Sequence, residues 1–282
     1  MPILQRIVIV INFTFLFNII LCAQHNPALQ TTINYKLQID TFDLSGYDIE
    51  MHIQNAPKKF HLAMATHHEY DDRYWRFVEN FKVESAKNNF IREDSALWGV
   101  TVLEKDVIIK YRVHLPPFTG SQRPVWRPFL SLSGGLIGDM HSFMYLVEKP
   151  EASSFITFQL PKDWQIATGL EPTKDPKIFY ALNAKTLLDC SVLVGKFKSW
   201  HFSVNNIPHT IVYWPLPNAK PFDTDLLAEN IKKIVEQTVK LFDTIPYKHY
   251  TFLLQDGAYG ALEHSNSVPI GIPSATFERD IT

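Results

Sequence analysis

Most of the residues whose types and spacing suggest chemistry lie near the carboxyl end of this sequence. A turn at residues 256–260 contains two glycines and leads into the pair Glu263-His264. Glycine allows another backbone to approach closely, and a carboxylate beside such a turn can form a charge-assisted hydrogen bond with a cation. Considered without its context, an exposed Glu-His pair after a strand favours an ordinary solvated turn.

No segment of the sequence has the spacing of a zinc peptidase site. Such a site needs about three protein ligands, and a His-Glu-x-x-His helix supplies two histidines and a general base. The pair His68-Glu69 is followed at the fifth position by Asp72 rather than histidine, within sequence of strand-like pattern. We therefore expect His67, His68 and Glu69 to lie in a solvated loop. The chain is predicted to contain neither metal ligands nor catalytic residues of its own.

Composition excludes several other chemistries. The 27 basic and 29 acidic residues nearly cancel, so no broad basic field exists and we expect no nucleic-acid partner. Two cysteines are too few for a disulfide scaffold or a Cys-rich zinc module. We expect Cys190 to be a buried apolar residue. The sequence also contains no serine nucleophile elbow and no phosphate-binding glycine loop.

Residues 1–23 have the pattern of a secretory signal peptide. Arg6 is the only charge before the apolar run 7–23, which ends in a small residue. Polar residues interrupt the run, whereas a membrane-spanning helix needs about 20 apolar residues. We expect an exported bacterial protein, periplasmic or secreted, that contacts the membrane only through its uncleaved signal. Leu21 before Cys22 disfavours lipidation.

Alternation of apolar and polar residues dominates the chain from about residue 31 to residue 214. The clearest run places Val107, Ile109 and Tyr111 at every second position, which indicates strands with one buried face. Short strands separated by turn residues predict a mainly β fold, with an N-terminal antiparallel β-sandwich-like domain over residues 24–215. Residues 123–138 lack a clear pattern, and we expect a loop there.

A different pattern begins at residue 216. Asp223 is placed to cap a helix, and the apolar residues that follow have helical spacing as far as Ile245. Pro246 should end this helix, and Tyr250–Leu254 has the composition of a buried strand. One helix and one strand cannot close a core, so we expect residues 216–282 to open a second domain that this sequence does not complete.

Three segments, taken in order, resemble one peptidase family. The motif at residues 260–268 is similar to Gly-Gly-Leu-Glu-His-x-Asn-Ser-Thr, with Ala261 in place of the second glycine and Val268 in place of threonine. Residues 160–170 are similar to Leu-Pro-x-Gly-Trp-x-x-Ala-Thr-x-Leu, and residues 187–197 to a Leu-x-Asp segment followed by Gly-x-Phe. These motifs resemble the glycyl-aminopeptidase family of zinc metallopeptidases, metallopeptidase family sixty-one, whose members carry a PDZ domain.

The resemblance implies the N-terminal part of an exported zinc-dependent aminopeptidase, in which residues 216–282 open a thermolysin-like α+β catalytic domain. It assigns Gly260, Ala261, Glu263 and His264 to substrate binding. Backbone groups of the first two would contact an extended peptide, and Glu263 would hold its α-ammonium group. The expected partner is therefore a peptide with a free amino terminus. Zinc is expected for a full-length relative, whereas this chain lacks the zinc motif and should be inactive alone.

Two other classes of function remain open. One is a non-catalytic periplasmic β-sandwich binding protein, in which Trp126, Trp164, Trp200 and Trp214 would stack on sugars; we expect these rings to pack in the core instead. The other is a scaffold protein, derived from the peptidase family, that has lost catalysis. Residues 65–72 differ from the family's Pro-x-Trp-x-Pro-Gly-x-Tyr loop, so no substrate contact is inferred there.

Overall fold

The computed structural model describes residues 30–65, 73–84, 89–115 and 118–274. The predicted signal peptide, Cys22 and the segment His67-His68-Glu69 lie outside the described residues. From Thr31 onward the described residues belong to one compact unit. No helix within these ranges has the length and apolar character needed to cross a membrane.

Strands make up most of the regular structure, which confirms the mainly β prediction. The strands of the first two thirds of the chain are β1 (Thr32–Gln38), β2 (Gly46–Gln54), β3 (Lys59–Met64), β4 (Val78–Glu84), β5 (Asn89–Asp94), β6 (Leu97–Thr101), β7 (Val107–His114), β8 (Arg123–Pro124), β9 (Phe129–Ser131), β10 (Gly134–Gly138), β11 (Met144–Leu146), β12 (Ser154–Gln159), β13 (Gln165–Thr168), β14 (Glu171–Pro172), β15 (Ile178–Ala181) and β16 (Ser191–Gly195). The remaining strands are β17 (Lys198–Val204), β18 (Ile207–Trp214), β19 (Tyr250–Asp256), β20 (Ala258–Tyr259) and β21 (Ser267–Ile272). The helices are α1 (Ala184–Leu188) and α2 (Thr224–Phe242), with 3₁₀ turns at Tyr74–Phe77 and Asp139–His141.

The largest sheet has seven strands in the order β14-β15-β12-β1-β2-β7-β4. Val107, Ile109, Tyr111 and Val113 of β7 are all buried, as their alternation predicts. Buried residues of this sheet join those of a four-stranded sheet, β11-β3-β6-β5, in one hydrophobic core. The sandwich is not purely antiparallel, because β1 pairs with β12 in parallel; the sequence separation of these two strands permits the required crossover connection.

The prediction of a loop at residues 123–138 is wrong. This segment contains β8, β9 and β10, and β10 pairs with both β9 and β16. Every residue of β10 is buried, and a strand buried on both faces shows no alternation. Gly135 is required here, because a Cβ atom at this residue would lie 2.1 Å from the carbonyl oxygen of Phe129.

The helix and strand predicted after residue 216 are confirmed as α2 and β19. The Oδ1 atom of Asp223 accepts hydrogen bonds from the N–H groups of Asp225 and Leu226 at 3.1 and 2.9 Å, as expected for a helix cap. The helix ends earlier than predicted, at Phe242, because Asp243 adopts a left-handed conformation with φ of 54°.

The last sheet contains strands from both sides of the predicted domain boundary at residue 215. Its order is β17-β18-β19-β21, and both β18–β19 and β19–β21 are parallel pairs. Residues 196 and 197 separate this sheet from β16 of the preceding sheet. The boundary between residues 215 and 216 stays a prediction, and a division near residue 197 would leave this sheet whole.

His61 on β3 bridges two carboxylates from other parts of the sandwich. Its Nδ1 atom is hydrogen-bonded to Glu148, and its Nε2 atom lies 3.2 Å from Glu93 Oε2. The hydrogen bond to Glu148 raises the pKa of His61, slight burial opposes this shift, and the charges of Glu148 and Glu93 add to it. His61 therefore contributes most to stability when it is protonated.

The stabilisation by His61 should disappear as pH rises. Because its folded-state pKa is raised, the contribution is complete below the ordinary value of 6.5 and is lost as pH passes through the raised value. The difference in Tm between the wild type and His61→Gln should shrink from about pH 5 to about pH 8. Adding salt to about 1 M should weaken it at low pH. A difference that stays constant with pH would contradict this assignment.

Candidate functional site

The predicted substrate-binding residues lie on a short segment that pairs with β21. β20 continues directly into this segment, in which residue 261 forms an antiparallel bridge with Ile270. Three backbone hydrogen bonds hold the segment: Gly271 N–H to Gly260 O at 2.8 Å, Leu262 N–H to Pro269 O at 3.2 Å and His264 N–H to Ser267 O at 2.9 Å. Residues 260–264 therefore form an additional strand at the edge of the last sheet, and we call this segment the motif strand.

The motif strand presents an open edge. In an antiparallel pair, alternate residues direct their backbone groups toward and away from the partner. Gly260, Leu262 and His264 bond to the β21 side, so the N–H and C=O groups of Ala261 and Glu263 face the other way. Both of these residues are exposed. Within the described residues, no hydrogen bond occupies their backbone groups, so an extended peptide can pair with this edge.

Gly260 cannot be replaced without moving a neighbour. Its φ is 84°, a conformation that residues with a side chain rarely adopt. A Cβ atom at this residue would also lie 2.8 Å from Cζ3 of Trp126. Ala261 has neither constraint, which explains how alanine can occupy the position where the related motif has its second glycine.

Residues 123–127 fasten the start of the motif strand. β8 pairs in parallel with β20, and the N–H of Val125 donates to Tyr259 O at 2.9 Å. The ring of Trp126 meets that of Tyr259 edge-on at 5.9 Å. Gln255 of β19 joins the same loop, since its Nε2 donates to Val125 O at 3.0 Å. Sequence reasoning missed this contribution, because the short strand β8 has no periodic pattern.

The cationic side chain of Arg123 lies where residues 123–127 meet β19. Arg123 Nη1 donates to Gln255 Oε1 at 2.8 Å, and its guanidinium lies 3.6 Å from the centre of the Phe129 ring. Burial, and in addition the nearby charge of Arg127, lower the pKa of Arg123 to about 10. The guanidinium remains protonated at neutral pH and adds positive charge beside the motif strand.

His264 anchors the other end of the motif strand to β16 and its surroundings. Its Nδ1 lies 3.3 Å from Asp189 Oδ1, and its Nε2 lies 3.3 Å from the hydroxyl of Ser191. The Ser191 hydroxyl donates to Asp139 Oδ2 at 3.0 Å, and Asp139 is hydrogen-bonded to the ring of His141. We call these five residues the His264 network; it occupies both ring nitrogen atoms of His264.

Asp189 also holds the backbone next to His264. Its Oδ2 accepts the N–H of Ser265 at 3.0 Å. Partial burial raises the pKa of Asp189, but the hydrogen bonds from His264 and Ser265 lower it further, so that its net shift is downward. The carboxylate is therefore charged at neutral pH and fixes the residue that follows Glu263. Of the four predicted site residues, His264 is the one whose side chain is hydrogen-bonded to other described residues; its role in substrate binding stays a prediction.

Asp256, at the end of β19, accepts hydrogen bonds from three separate segments of the chain. Its Oδ1 accepts the N–H groups of Gly257 at 3.0 Å and Ser274 at 2.9 Å. Its Oδ2 accepts the N–H of Leu216 at 3.3 Å and the hydroxyl of Ser274 at 3.0 Å. Asp256 is 3% exposed, so these four donors satisfy the oxygen atoms of a buried side chain and fix the turn from which the motif strand starts.

The described residues do not fit a zinc ion. No group of three or more His, Cys, Asp or Glu side chains within these ranges could hold a metal. His264 uses both ring nitrogens in its network, and His209 directs its Nε2 to the hydroxyl of Tyr247 at 3.0 Å. The tryptophans of the alternative sugar-binding hypothesis form no exposed row, since Trp214 is buried and Trp126, Trp164 and Trp200 are half-buried.

Comparison with known proteins supports the fold and the family. A family model described as the Peptidase M61 N-terminal domain matches residues 34–196. An aminopeptidase N family protein from Idiomarina loihiensis is similar in structure, with 19% identity and a TM-score of 0.75 over 85% of this chain and 42% of its own. A search of curated proteins found no match.

Two more distant structures share the fold. One is an M1 zinc metallopeptidase from Deinococcus radiodurans bound to Tyr-Ser-Ala, at 11% identity and a TM-score of 0.51 over 88% of this chain and 61% of its own. The other is Saccharomyces cerevisiae leukotriene A4 hydrolase in complex with bestatin, at 10% identity and a TM-score of 0.51 over 86% of this chain and 40% of its own.

The chain covers only part of each similar protein. This chain spans 42% of the Idiomarina protein and 61% of the Deinococcus protein. The family model, in contrast, matches more than half of the present sequence and covers the sandwich through β16. The chain therefore belongs to the Peptidase M61 family, and residues 34–196 form its N-terminal domain.

Proposed function

We propose that this chain is the N-terminal part of an exported zinc-dependent aminopeptidase and that its motif strand binds the amino-terminal end of a peptide. The observation that carries the proposal is the open edge at Ala261 and Glu263. Strand addition gives a peptide two or more main-chain hydrogen bonds irrespective of its sequence. A peptidase needs such recognition, because it cleaves many sequences at the same position in the backbone.

In this proposal, Glu263 makes the site selective for peptides with a free amino terminus. Its side chain is exposed, and it forms none of the ion pairs found among the described residues. An α-ammonium group brought alongside by strand pairing would form a charge-assisted hydrogen bond with this carboxylate. An internal peptide segment has no such group, so the pairing favours removal of residues from the amino end.

The hydrolytic step is assigned to the catalytic domain of the full-length protein. Zinc bound there would activate a water molecule and polarise the scissile carbonyl. The described residues of the present chain bind and orient the peptide, and Asp189 and His264 keep the motif strand in place. By itself this chain is proposed to bind peptides without cleaving them.

The proposal is tested with the full-length gene product. Tyr-Ser-Ala and N-acetyl-Tyr-Ser-Ala would be incubated with the protein before and after zinc removal by a chelator. We expect release of free tyrosine from the unblocked peptide alone, and only when zinc is present. Equal cleavage of the blocked and unblocked peptides, or internal cleavage of both, would contradict an aminopeptidase.

Export is a separate part of the proposal. The pattern of residues 1–23 supports cleavage near Gln24. Amino-terminal sequencing of the protein from a periplasmic or culture fraction should begin near this residue. Recovery of the protein with Met1 intact from the cytosol would contradict export.

A further inference from the structure

The hydrogen bonds of the His264 network determine where its protons lie. Asp189 Oδ1 and Ser191 Oγ contact the two ring nitrogens of His264, each at 3.3 Å. An ionised carboxylate only accepts hydrogen bonds, so Nδ1 of His264 donates to Asp189. The other nitrogen, Nε2, is an acceptor if the ring is neutral and a second donor if the ring is an imidazolium ion.

Ser191 decides between these two forms of the ring. Its hydroxyl group has a single proton, which it donates to Asp139 Oδ2 at 3.0 Å. Toward His264 the Ser191 oxygen can therefore only accept, and a bare Nε2 would face the lone pairs of this oxygen. Ser191 is buried, where an unmatched polar contact is costly. Every contact of the chain is matched when Nε2 carries a proton.

A proton on Asp139 would reverse both hydrogen bonds, so that Asp139 donated to Ser191 and Ser191 to a neutral His264. The surroundings of Asp139 disfavour this arrangement. Its Oδ1 accepts the backbone N–H of His141 at 3.1 Å and is hydrogen-bonded to the ring of the same residue. Together with Ser191, three donors converge on this carboxyl group, which favours its charged form. In general an aspartic acid is also about two pH units more acidic than an imidazolium ion.

The charges around the network also require a positive ring. Among the described residues, Asp139 pairs with His141 and Asp189 pairs with His264, and neither carboxylate pairs with a lysine or an arginine. Asp139 is almost fully buried, and a buried charge is costly unless a nearby charge of opposite sign compensates it. Burial and the neighbouring carboxylates raise the pKa of the Cys190 thiol, so this group adds no charge at neutral pH.

We propose that Asp139 is a positioning residue: it orients the hydroxyl group of Ser191 so that His264 carries a proton on both ring nitrogens and anchors the motif strand as an imidazolium ion. This role rests on the proposed function, since the strand held in this way is the one that binds the peptide. Hydrogen bonds from a charged donor are about twice as strong as neutral ones. The backbone N–H of His264 bonds to Ser267 O of β21, so the charged ring ties the same residue to β16 as well.

The protons of the ring are measured by NMR of the ring nitrogens in the present chain at neutral pH. The sequence has 11 histidines, so the signals of His264 are identified by their absence from His264→Gln. We expect both nitrogens of this ring to have the chemical shift of a protonated nitrogen. A bare Nε2 in the wild type would overturn the proposal.

Asp139→Asn keeps the shape of the side chain and reverses its hydrogen bonds. The backbone N–H of His141 needs an acceptor, so the amide oxygen should remain there and the amide N–H group should face Ser191. Ser191 would then donate to His264, and Nε2 should become bare. Ser191→Ala removes the connection with little change in volume and should also increase the fraction of rings with a bare Nε2. Two protonated nitrogens in both variants would overturn the proposal.

Hydrogen exchange shows whether the ring positions the motif strand. The amide N–H groups of Leu262 and His264 bond to β21 and to the turn before it, and their exchange should be about tenfold faster in Asp139→Asn than in the wild type. Asp106→Asn, on the exposed surface, should leave their exchange unchanged. Unchanged exchange in Asp139→Asn would overturn the positioning role. Equal acceleration at Ile33 of β1 would indicate a general loss of stability and would overturn it too.

Peptide binding separates this role from the proposed function. Alanyl-alanine amide has a free amine, and Asp139→Asn should raise its dissociation constant about three- to tenfold. An unchanged dissociation constant would overturn the positioning role and leave the proposed function standing. If the wild type did not bind this peptide, the proposed function would be contradicted, and the ring and exchange measurements would still decide whether Asp139 holds the motif strand through His264.

Discussion

Glu263→Ala should lower kcat/KM for peptides with a free amino terminus by about 10- to 100-fold in the full-length protein. A hydrogen bond to a charged group contributes about 1.5–3 kcal/mol, and each 1.4 kcal/mol corresponds to about a factor of ten in rate. Because Glu263 is exposed and outside the described ion pairs, its loss removes no contact that holds the fold. The effect should therefore appear in steady-state kinetics with little change in Tm.

Two further variants distinguish the effect of the Glu263 charge on kcat/KM from the effect of the motif-strand backbone. Glu263→Gln keeps a hydrogen-bond acceptor but loses the charge, and its effect should lie between those of wild type and alanine. Ala261→Gly should be tolerated, because Ala261 is exposed and glycine is the usual residue of the related motif. If Glu263→Ala slowed free and N-acetylated substrates equally, the α-amine role of Glu263 would be wrong.

Asp256→Ala should lower the free energy of unfolding by about 2–4 kcal/mol. The change leaves four donors without their acceptor, among them the N–H and hydroxyl groups of the buried residue Ser274. Buried unsatisfied groups cost about 1–3 kcal/mol each when no water replaces the partner. For a chain of this size the corresponding fall in Tm is about 4–8 °C, which differential scanning calorimetry can resolve.

The control for Asp256 is an acidic residue that lacks this environment. Asp106 is exposed, so Asp106→Ala should change stability by less than about 0.5 kcal/mol. Asp256→Asn keeps one oxygen acceptor and should cost less than alanine. Similar melting curves for Asp256→Ala and Asp106→Ala would show that the four hydrogen bonds contribute nothing to stability.

Features set by local sequence were predictable. The alternation at Val107, Ile109 and Tyr111 predicted a strand with one buried face, because side chains of a strand alternate between its two faces. Asp223 correctly predicted the start of α2. A helix cap is also a local feature, because it depends on residues only two or three positions away. The motif at residues 260–264 was likewise recognised from contiguous residues.

Features that depend on distant pairings could not be predicted. Residues 123–127 have no period of their own, and only the folded chain brings Val125 within hydrogen-bonding distance of Tyr259. The same holds for His264, whose partners Asp189 and Ser191 are more than 70 positions away. A search for buried polar residues near the motif would not have found them, because burial itself is a result of the tertiary fold.

The His264 network restricts how members of this family can be recombined. A chimera that joins residues before 216 from one peptidase to the following residues of another would exchange His264 without Asp189, Ser191 and Asp139. It would also split the last sheet between two parents. We expect functional recombinants to inherit the motif strand and its supporting residues from a single parent, so that substrate preference is transferred by both regions together.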